Sequence, residues 1–202
     1  SKLPDRDLGM ETLVEVLNGK RVVHWHTHKA NDILTAIRIG KEFGFKPVLH
    51  HVSEGWKVAD EIAAAGLMAS IIAIDAPGGK LEAMNLSLTT GAALEKAGVV
   101  VGMHTDDGIT DSRFFIRSAA LMLRGGMSKE KTLESLTLAG AKMLDLGTRV
   151  GSLQKGKDAD FIILNGDPFS IYTHVQQTWV EGIKRWDISI PADKAFLFGG
   201  YD

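Results

Sequence analysis

Cysteine is absent from the 202 residues. That excludes a disulfide scaffold, a thiol nucleophile and any zinc or iron–sulfur site built on thiolates, so a metal here must be held by histidine and carboxylate. A surplus of one charge is also lacking: 23 Lys and Arg stand against 25 Asp and Glu, a formal net charge of -2 with His neutral. Without a basic surplus to neutralise phosphates, nucleic acid is not an expected partner. No apolar run approaches the roughly 20 residues of a spanning helix, and residues 1–7 are charged with no apolar stretch behind them, unlike a secretory leader. The expectation is a soluble, cytoplasmic protein with no membrane partner. Low-complexity tracts are missing too. Ala76-Pro77-Gly78-Gly79 has neither GxGxxG nor Walker spacing, so it reads as a turn rather than a phosphate cradle.

What is present is a chain with 45% hydrophobic residues, long enough to bury a sizeable core as one large domain or one domain with an appendage. Short β-branched runs alternate with stretches of helical period, the pattern of βα units on a parallel sheet. Strands are expected over residues 21–26, 46–51, 68–74 and 99–104. Helices are expected over 31–43 with Asn31 as N-cap, 54–65, a stretch ending near 97, 112–123, and 128–144 capped by Ser128. After Gly151 the period changes to two, and residues 159–164 and 175–186 read as strands of a small β appendage. Four βα units cannot close an eight-stranded barrel, which takes about 250 residues. An open sheet or half a barrel remains.

Histidines occur at 24, 26, 28, 50, 51, 104 and 174, and all but His174 lie at the C-terminal ends of expected strands. Parallel α/β sheets gather ligand and catalytic groups at that edge. Alternation along a strand puts His24, His26 and, if the strand continues, His28 on one side, and allows only one of His50 and His51 to face the same site. Asp106 shares a side with His104 if the chain stays extended between them. Imidazoles and a carboxylate converging from three strand ends suit zinc, manganese or iron(II), and clustered titratable groups at such an edge raise the expectation of a metal or catalytic site.

The residues around these positions carry a further signal. His24-Trp25-His26-Thr27-His28-Lys29-Ala30-Asn31-Asp32, Leu49-His50-His51-Val52-Ser53-Glu54-Gly55 and Met103-His104-Thr105-Asp106 resemble, in that order, the fifth-, sixth- and eighth-strand segments of the imidazolonepropionase-like branch of the amidohydrolase superfamily. Ser135-Leu136-Thr137-Leu138-Ala139-Gly140-Ala141-Lys142, Gly151-Ser152-Leu153 and Lys155-Gly156-Lys157-Asp158-Ala159-Asp160 are similar to the segments that follow. The resemblance implies an α/β fold: the C-terminal half of a (β/α)8 TIM barrel, strands five to eight, over residues 1–147, with part of a small β-sandwich and a tail over 148–202.

It also implies a hydrolase acting on amide or cyclic-amide C–N bonds of a small molecule through a metal-activated water. His26 and His51 would be metal ligands, and Asp106 the carboxylate that binds metal and handles the proton. His28, His104 and Asp107 would face substrate or support the ligands. The cofactor implied is a divalent metal, zinc first, with iron or manganese as alternatives. The family's first-strand HxH pair and fourth-strand lysine have no counterpart here. The isolated chain is therefore expected to be inactive, and to self-associate into a homo-oligomer or pair with a missing N-terminal half. A non-catalytic half-barrel module is the alternative.

Overall fold

The computed structural model describes residues 5–73, 80–195 and 197. After a first helix, α1 (Leu8–Leu17), strands and helices alternate: β1 (Val23–Thr27), α2 (Ala30–Phe43), β2 (Pro47–His51), α3 (Ala59–Ala64), β3 (Met68–Ile72), α4 (Thr90–Lys96) and β4 (Val101–His104). Three helices follow, α5 (Phe115–Arg124), α6 (Lys129–Ser135) and α7 (Leu138–Met143), then β5 (Phe161–Leu164), β6 (Val175–Val180), β7 (Ile183–Asp187) and α8 (Pro191–Ala195). Among the described residues no helix is long and apolar enough to cross a membrane. Ile74 and the expected turn at 76–79 lie outside the described residues.

The first four strands pair in parallel in the order β1-β2-β3-β4. Their register makes alternation act across the whole sheet. Trp25, Leu49, Ala69 and Val101 form one row and His26, His50, Ser70 and Gly102 the next, so the two rows face opposite sides. The first row meets the helices: Leu49, Ala69, Ile71, Val101 and Met103 pack with Ile33, Ala36, Ile62, Leu94, Ala119 and Met122 in one buried cluster. The second carries the histidines. At β4 that polar side is closed by α7, where Met143 Sδ lies 3.0 Å from the point a Cβ on Gly102 would occupy.

Several local expectations give way to long-range contacts. Asn31 does not cap α2. The N-cap is Lys29, without a side-chain bond, and the free Ala30 N–H donates instead to Glu54 Oε2, 2.9 Å away on the loop after β2. The helix expected over 54–65 is interrupted at Val58 (φ -132, ψ 30), leaving a single 3-10 turn at Gly55–Lys57 before α3. The helix expected over 128–144 keeps its Ser128 cap, which accepts from Lys131 N–H at 3.2 Å. It breaks at Thr137 (φ -132, ψ -93), so that α6 and α7 pack separately on β4. The run 175–186 folds back at Glu181 and Gly182, both left-handed (φ 52 and 72), as the hairpin β6–β7. With β5 it makes an antiparallel three-stranded sheet, on which Phe161 stacks over Trp179 at 5.6 Å. A Lys129–Asp167 ion pair and the packing of Phe169 on the main core join this sheet to the rest.

Candidate metal centre

The six strand-end histidines form one connected group. Nδ1 of His24 lies 2.8 Å from Nε2 of His50. Ser70 Oγ is 2.8 Å from His104 Nδ1, and His104 Nε2 is 3.0 Å from His51 Nδ1. Beyond the end of β1, the buried His28 sets Nδ1 2.6 Å from Ser53 Oγ.

Strand alternation alone would turn His51 toward the helices, because it is in register with Thr27 and Ile71. Its backbone prevents that. His51 has φ 67 and Val52 φ 52, a left-handed step that costs non-glycine residues roughly 1–3 kcal/mol each. It is held by Val52 N–H donating to Thr27 O at 2.9 Å and by complete burial of the valine side chain. The imidazole swings round to the histidine face, its ring centre 4.5 Å from that of His26, 4.7 Å from His28 and 4.8 Å from His104. His50 remains on that face as well, paired with His24 two rows away. The left-handed turn, which alternation cannot anticipate, brings both rings to one face, and of the two only His51 joins His26 and His28.

Among the described residues, the set able to hold a metal ion is His26, His28 and His51, each offering one ring nitrogen, with these atoms all within 4.8 Å of one another. The hydrogen bonds favour this use. If His51 Nδ1–H donates to His104 Nε2, His104 Nδ1–H can donate to Ser70, and His28 Nδ1–H to Ser53. This proton arrangement leaves the Nε2 lone pairs of His28 and His51 free, which is how ligating imidazoles are oriented. Burial, reinforced by the charges of His28 and His26, pushes His51 down to about 4. Burial, with His51 and His50 adding to it, pushes His104 down to about 3. Burial also lowers His28 and His50. Near neutral pH these rings are uncharged, the state a metal requires.

Asp106 and Asp107 occupy the turn after β4 and lie outside that set. Asp106 is exposed with φ 51, so the extended chain that would have kept it beside His104 does not persist. Its charge still reaches the cluster, raising the proton affinity of His28, His50, His51 and His104 against the effect of burial. Asp107 shapes the turn: its Oδ1 accepts from Gly108 and Ser112 N–H, both at 3.2 Å.

Three residues near the centre escaped the sequence reading. Ser53 and Ser70 orient His28 and His104; Ser53 sits two residues after His51, a spacing that could have drawn attention to it. Glu82, on the 3-10 turn Leu81–Ala83, brings Oε1 to 3.5 Å from His26 Nε2 and 3.7 Å from His28 Nε2. No motif or spacing marks it.

Glu54 braces the same edge without facing the cluster. Besides Ala30 N–H it accepts from Lys57 Nζ at 2.8 Å and from the Asn85 side chain. The Ala30 N–H, then Lys57 and Asn85, take its carboxyl from the ordinary 4.5 down to about 2. A depressed carboxyl contributes stability that is complete above its unfolded pKa and disappears as pH falls through the folded one. Glu54→Gln is therefore expected to cost about 2 kcal/mol at neutral pH. The gap between variant and wild type in urea unfolding should shrink as pH is lowered from 4.5 toward 2, and a gap that does not change with pH would contradict this role.

The family model described as "Amidohydrolase family" matches residues 9–185. The chain is 27% identical over 197 residues to the amidohydrolase tasK of Hapsidospora irregularis, covering 95% of this chain and 20% of that protein. It is 31% identical over 115 residues to an imidazolonepropionase of Bacteroides thetaiotaomicron, covering 54% of this chain and 26% of the relative. It is also similar to the crystal structure of an amidohydrolase from Thermotoga maritima, with a TM-score of 0.87 and 34% identity over 92% of this chain and 49% of that one. The chain thus spans about half of that solved structure and about a fifth to a quarter of these two curated relatives.

Proposed function

Given that the chain belongs to the amidohydrolase family, we propose that it is the C-terminal half of a metal-dependent hydrolase that cleaves amide or cyclic-amide C–N bonds of small molecules. In this reading β1 to β4 are strands five to eight of a (β/α)8 barrel over residues 1–147, and residues 148–202 are a remnant of the accompanying β-sandwich with its tail. His26 and His51 hold a divalent metal, zinc in the first instance, with His28 beside them. A divalent ion held there supplies Lewis-acid polarisation of the scissile carbonyl and makes water acidic enough to attack near neutral pH. Asp106, in the turn after β4, would serve as the carboxylate that takes a proton from the attacking water and returns it to the leaving nitrogen. His104 holds the His51 ring by its Nδ1, and Asp107 holds the turn that carries Asp106.

The observation that carries the reading is the convergence of His26, His28 and His51, two of them with their far nitrogens already engaged. Its test is the metal content of the purified chain, expected near one equivalent and lost in His26→Ala. Absence of bound metal, or equal content in wild type and variant, would sink it.

A second observation bears on assembly. No residue of α1 is buried, although Met10, Leu13, Val14 and Leu17 form one helical stripe, each more than half exposed. Among the described residues, β1 and β4 have no further strand beside them in the main sheet, and free strand edges invite pairing. The occupant of these surfaces is an N-terminal half that supplies the first four strands, with a second copy of this chain as the competing occupant. Chelator-sensitive amide hydrolysis is expected only when an N-terminal half is supplied. Turnover by the isolated 202 residues would refute the fragment reading. Leu13→Glu with Leu17→Glu should leave the unfolding of the isolated chain unchanged and abolish association in sedimentation.

A further inference from the structure

Resting on that reading of the histidine cluster as the metal-dependent site, we propose that Glu82 is its substrate-recognising carboxylate, selecting amides that carry a protonated amine or amidine beside a hydrocarbon portion. Glu82 stands outside the set His26, His28 and His51, on the flank of the first two. Its Oε1 is 3.5 Å from His26 Nε2 and 3.7 Å from His28 Nε2. Those separations exceed the roughly 2.7–3.2 Å of a good N–H···O bond, so neither ring satisfies the oxygen. When His28 Nδ1–H donates to Ser53, its Nε2 turns a lone pair, not a proton, toward the carboxylate.

A cation already uses that oxygen. Lys80 Nζ lies 3.7 Å from Glu82 Oε1, an exposed ammonium on a flexible stem that can turn to solvent. It marks a position that the ammonium or amidinium of a ligand can take in its place. A ligand cation brought beside a divalent metal is repelled by it, and a carboxylate between the two offsets that repulsion. A neutral group gains nothing from Glu82, and an anionic one is repelled.

The turn that carries the carboxylate also supplies apolar contact. Side chains three residues apart eclipse in a 3-10 turn. Leu81–Ala83 is such a turn, and Met84 continues it with helical angles. Leu81 and Met84 therefore share one side and Glu82 and Asn85 another, while Ala83 is buried. Leu81 is 78% and Met84 70% exposed, an apolar ridge beside the carboxylate. The side with Asn85 is anchored: its amide donates to Glu54, and Asn85 O accepts from Trp56 Nε1 at 3.2 Å. Glu82 is thereby fixed relative to the loop that bears Ser53 and continues from His51. A held charge next to uncovered hydrocarbon suits an organic cation with an apolar body.

The experiment adds benzamidinium, benzamide or benzoate, three probes that share a ring and differ in charge, to the full 202-residue chain and follows the ring-proton resonances of His26 and His28. Benzamidinium is expected to bind most tightly. Glu82→Gln should weaken it by about tenfold, and Glu82→Asp should restore part of the loss. Lys80→Gln should tighten it by about threefold, because the competing ammonium is gone. The glutamate side chain is 40% exposed, so folding survives the change, and circular dichroism checks it. Zinc titration of wild type and His26→Ala is run separately. If benzamidinium binds no better than benzamide, or binds Glu82→Gln as well as wild type, this inference is overturned, and zinc bound by wild type and lost in His26→Ala leaves the histidine site standing. If the Glu82-dependent preference for benzamidinium holds while wild type binds no zinc, the cation site stands and the metal reading falls. If neither probe nor zinc binds, both fall together.

Discussion

His51→Ala is expected to weaken divalent-metal binding by about 100-fold or more, beyond the 10–100-fold typical of losing a residue that merely supports a ligand. The substitution removes a ring nitrogen from the cluster and leaves His104 Nε2 without its partner at 3.0 Å. Calorimetric titration with Zn²⁺ at neutral pH measures the loss, and an affinity equal to that of wild type would exclude His51 from the site. Because alanine is unfavourable at φ 67, His51→Asn is the companion variant. Asparagine tolerates the left-handed region, so equal losses in both variants identify the ligand rather than the backbone as the cause.

His50→Ala is the control. It removes an adjacent ring that is bonded to His24 and lies outside the set His26, His28 and His51, and should leave affinity nearly unchanged.

The same residue predicts an acid sensitivity. Burial lowers His51 from 6.5 to about 4, so between those values the unfolded chain takes up a proton that the folded chain refuses. Its contribution to stability is complete above pH 6.5 and is lost as pH falls toward 4. Metal-free protein should therefore weaken in acid across that interval, and zinc, which binds the unprotonated ring, should offset the loss.

Gly125→Ala is expected to destabilise the fold by about 3 kcal/mol or more, the upper end of what an overpacked core position costs. Gly125 ends α5 with φ -74, an angle any residue adopts, so conformational strain contributes nothing. The whole effect is steric. A Cβ there would stand 1.9 Å from Leu88 O and 2.5 Å from Leu88 C, backbone atoms that cannot move without displacing the segment leading into α4.

Gly140→Ala supplies the contrast. It lies inside α7 with nothing within 4 Å of the added carbon, and removing a helical glycine should stabilise by roughly 0.5–1 kcal/mol. Urea unfolding of the two variants should move in opposite directions from wild type. A Gly125→Ala midpoint at the wild-type value would mean that α5 does not approach Leu88 as closely as described.

Much of this molecule is legible from residue order. The four βα units follow from alternating periodicity, since a buried parallel strand and an amphipathic helix leave different patterns. The strand-end histidines mark the functional edge, and the ordered segments around His26, His51 and Asp106 point to the family that the comparison confirms. Where the reading fell short, the deciding partner was distant in sequence. The cap of α2 comes from Glu54, 24 residues beyond Ala30. The apolar stripe of α1 went unread, and the structure leaves it without a covering surface. Glu82 carries no local signature at all.

Sequence alone determined the kind of chemistry available, imidazole and carboxylate without thiolate, and the edge of the sheet at which it gathers, because composition and strand alternation are properties of the chain itself. Only the tertiary structure decided which side chains meet. The left-handed step at His51 and Val52 is unfavourable locally and persists because Thr27 and the buried core hold it. The placement of Glu82 depends on the Glu54–Asn85 brace. Both are set by free energies of contact between residues 24 to 31 positions apart, which no local propensity encodes.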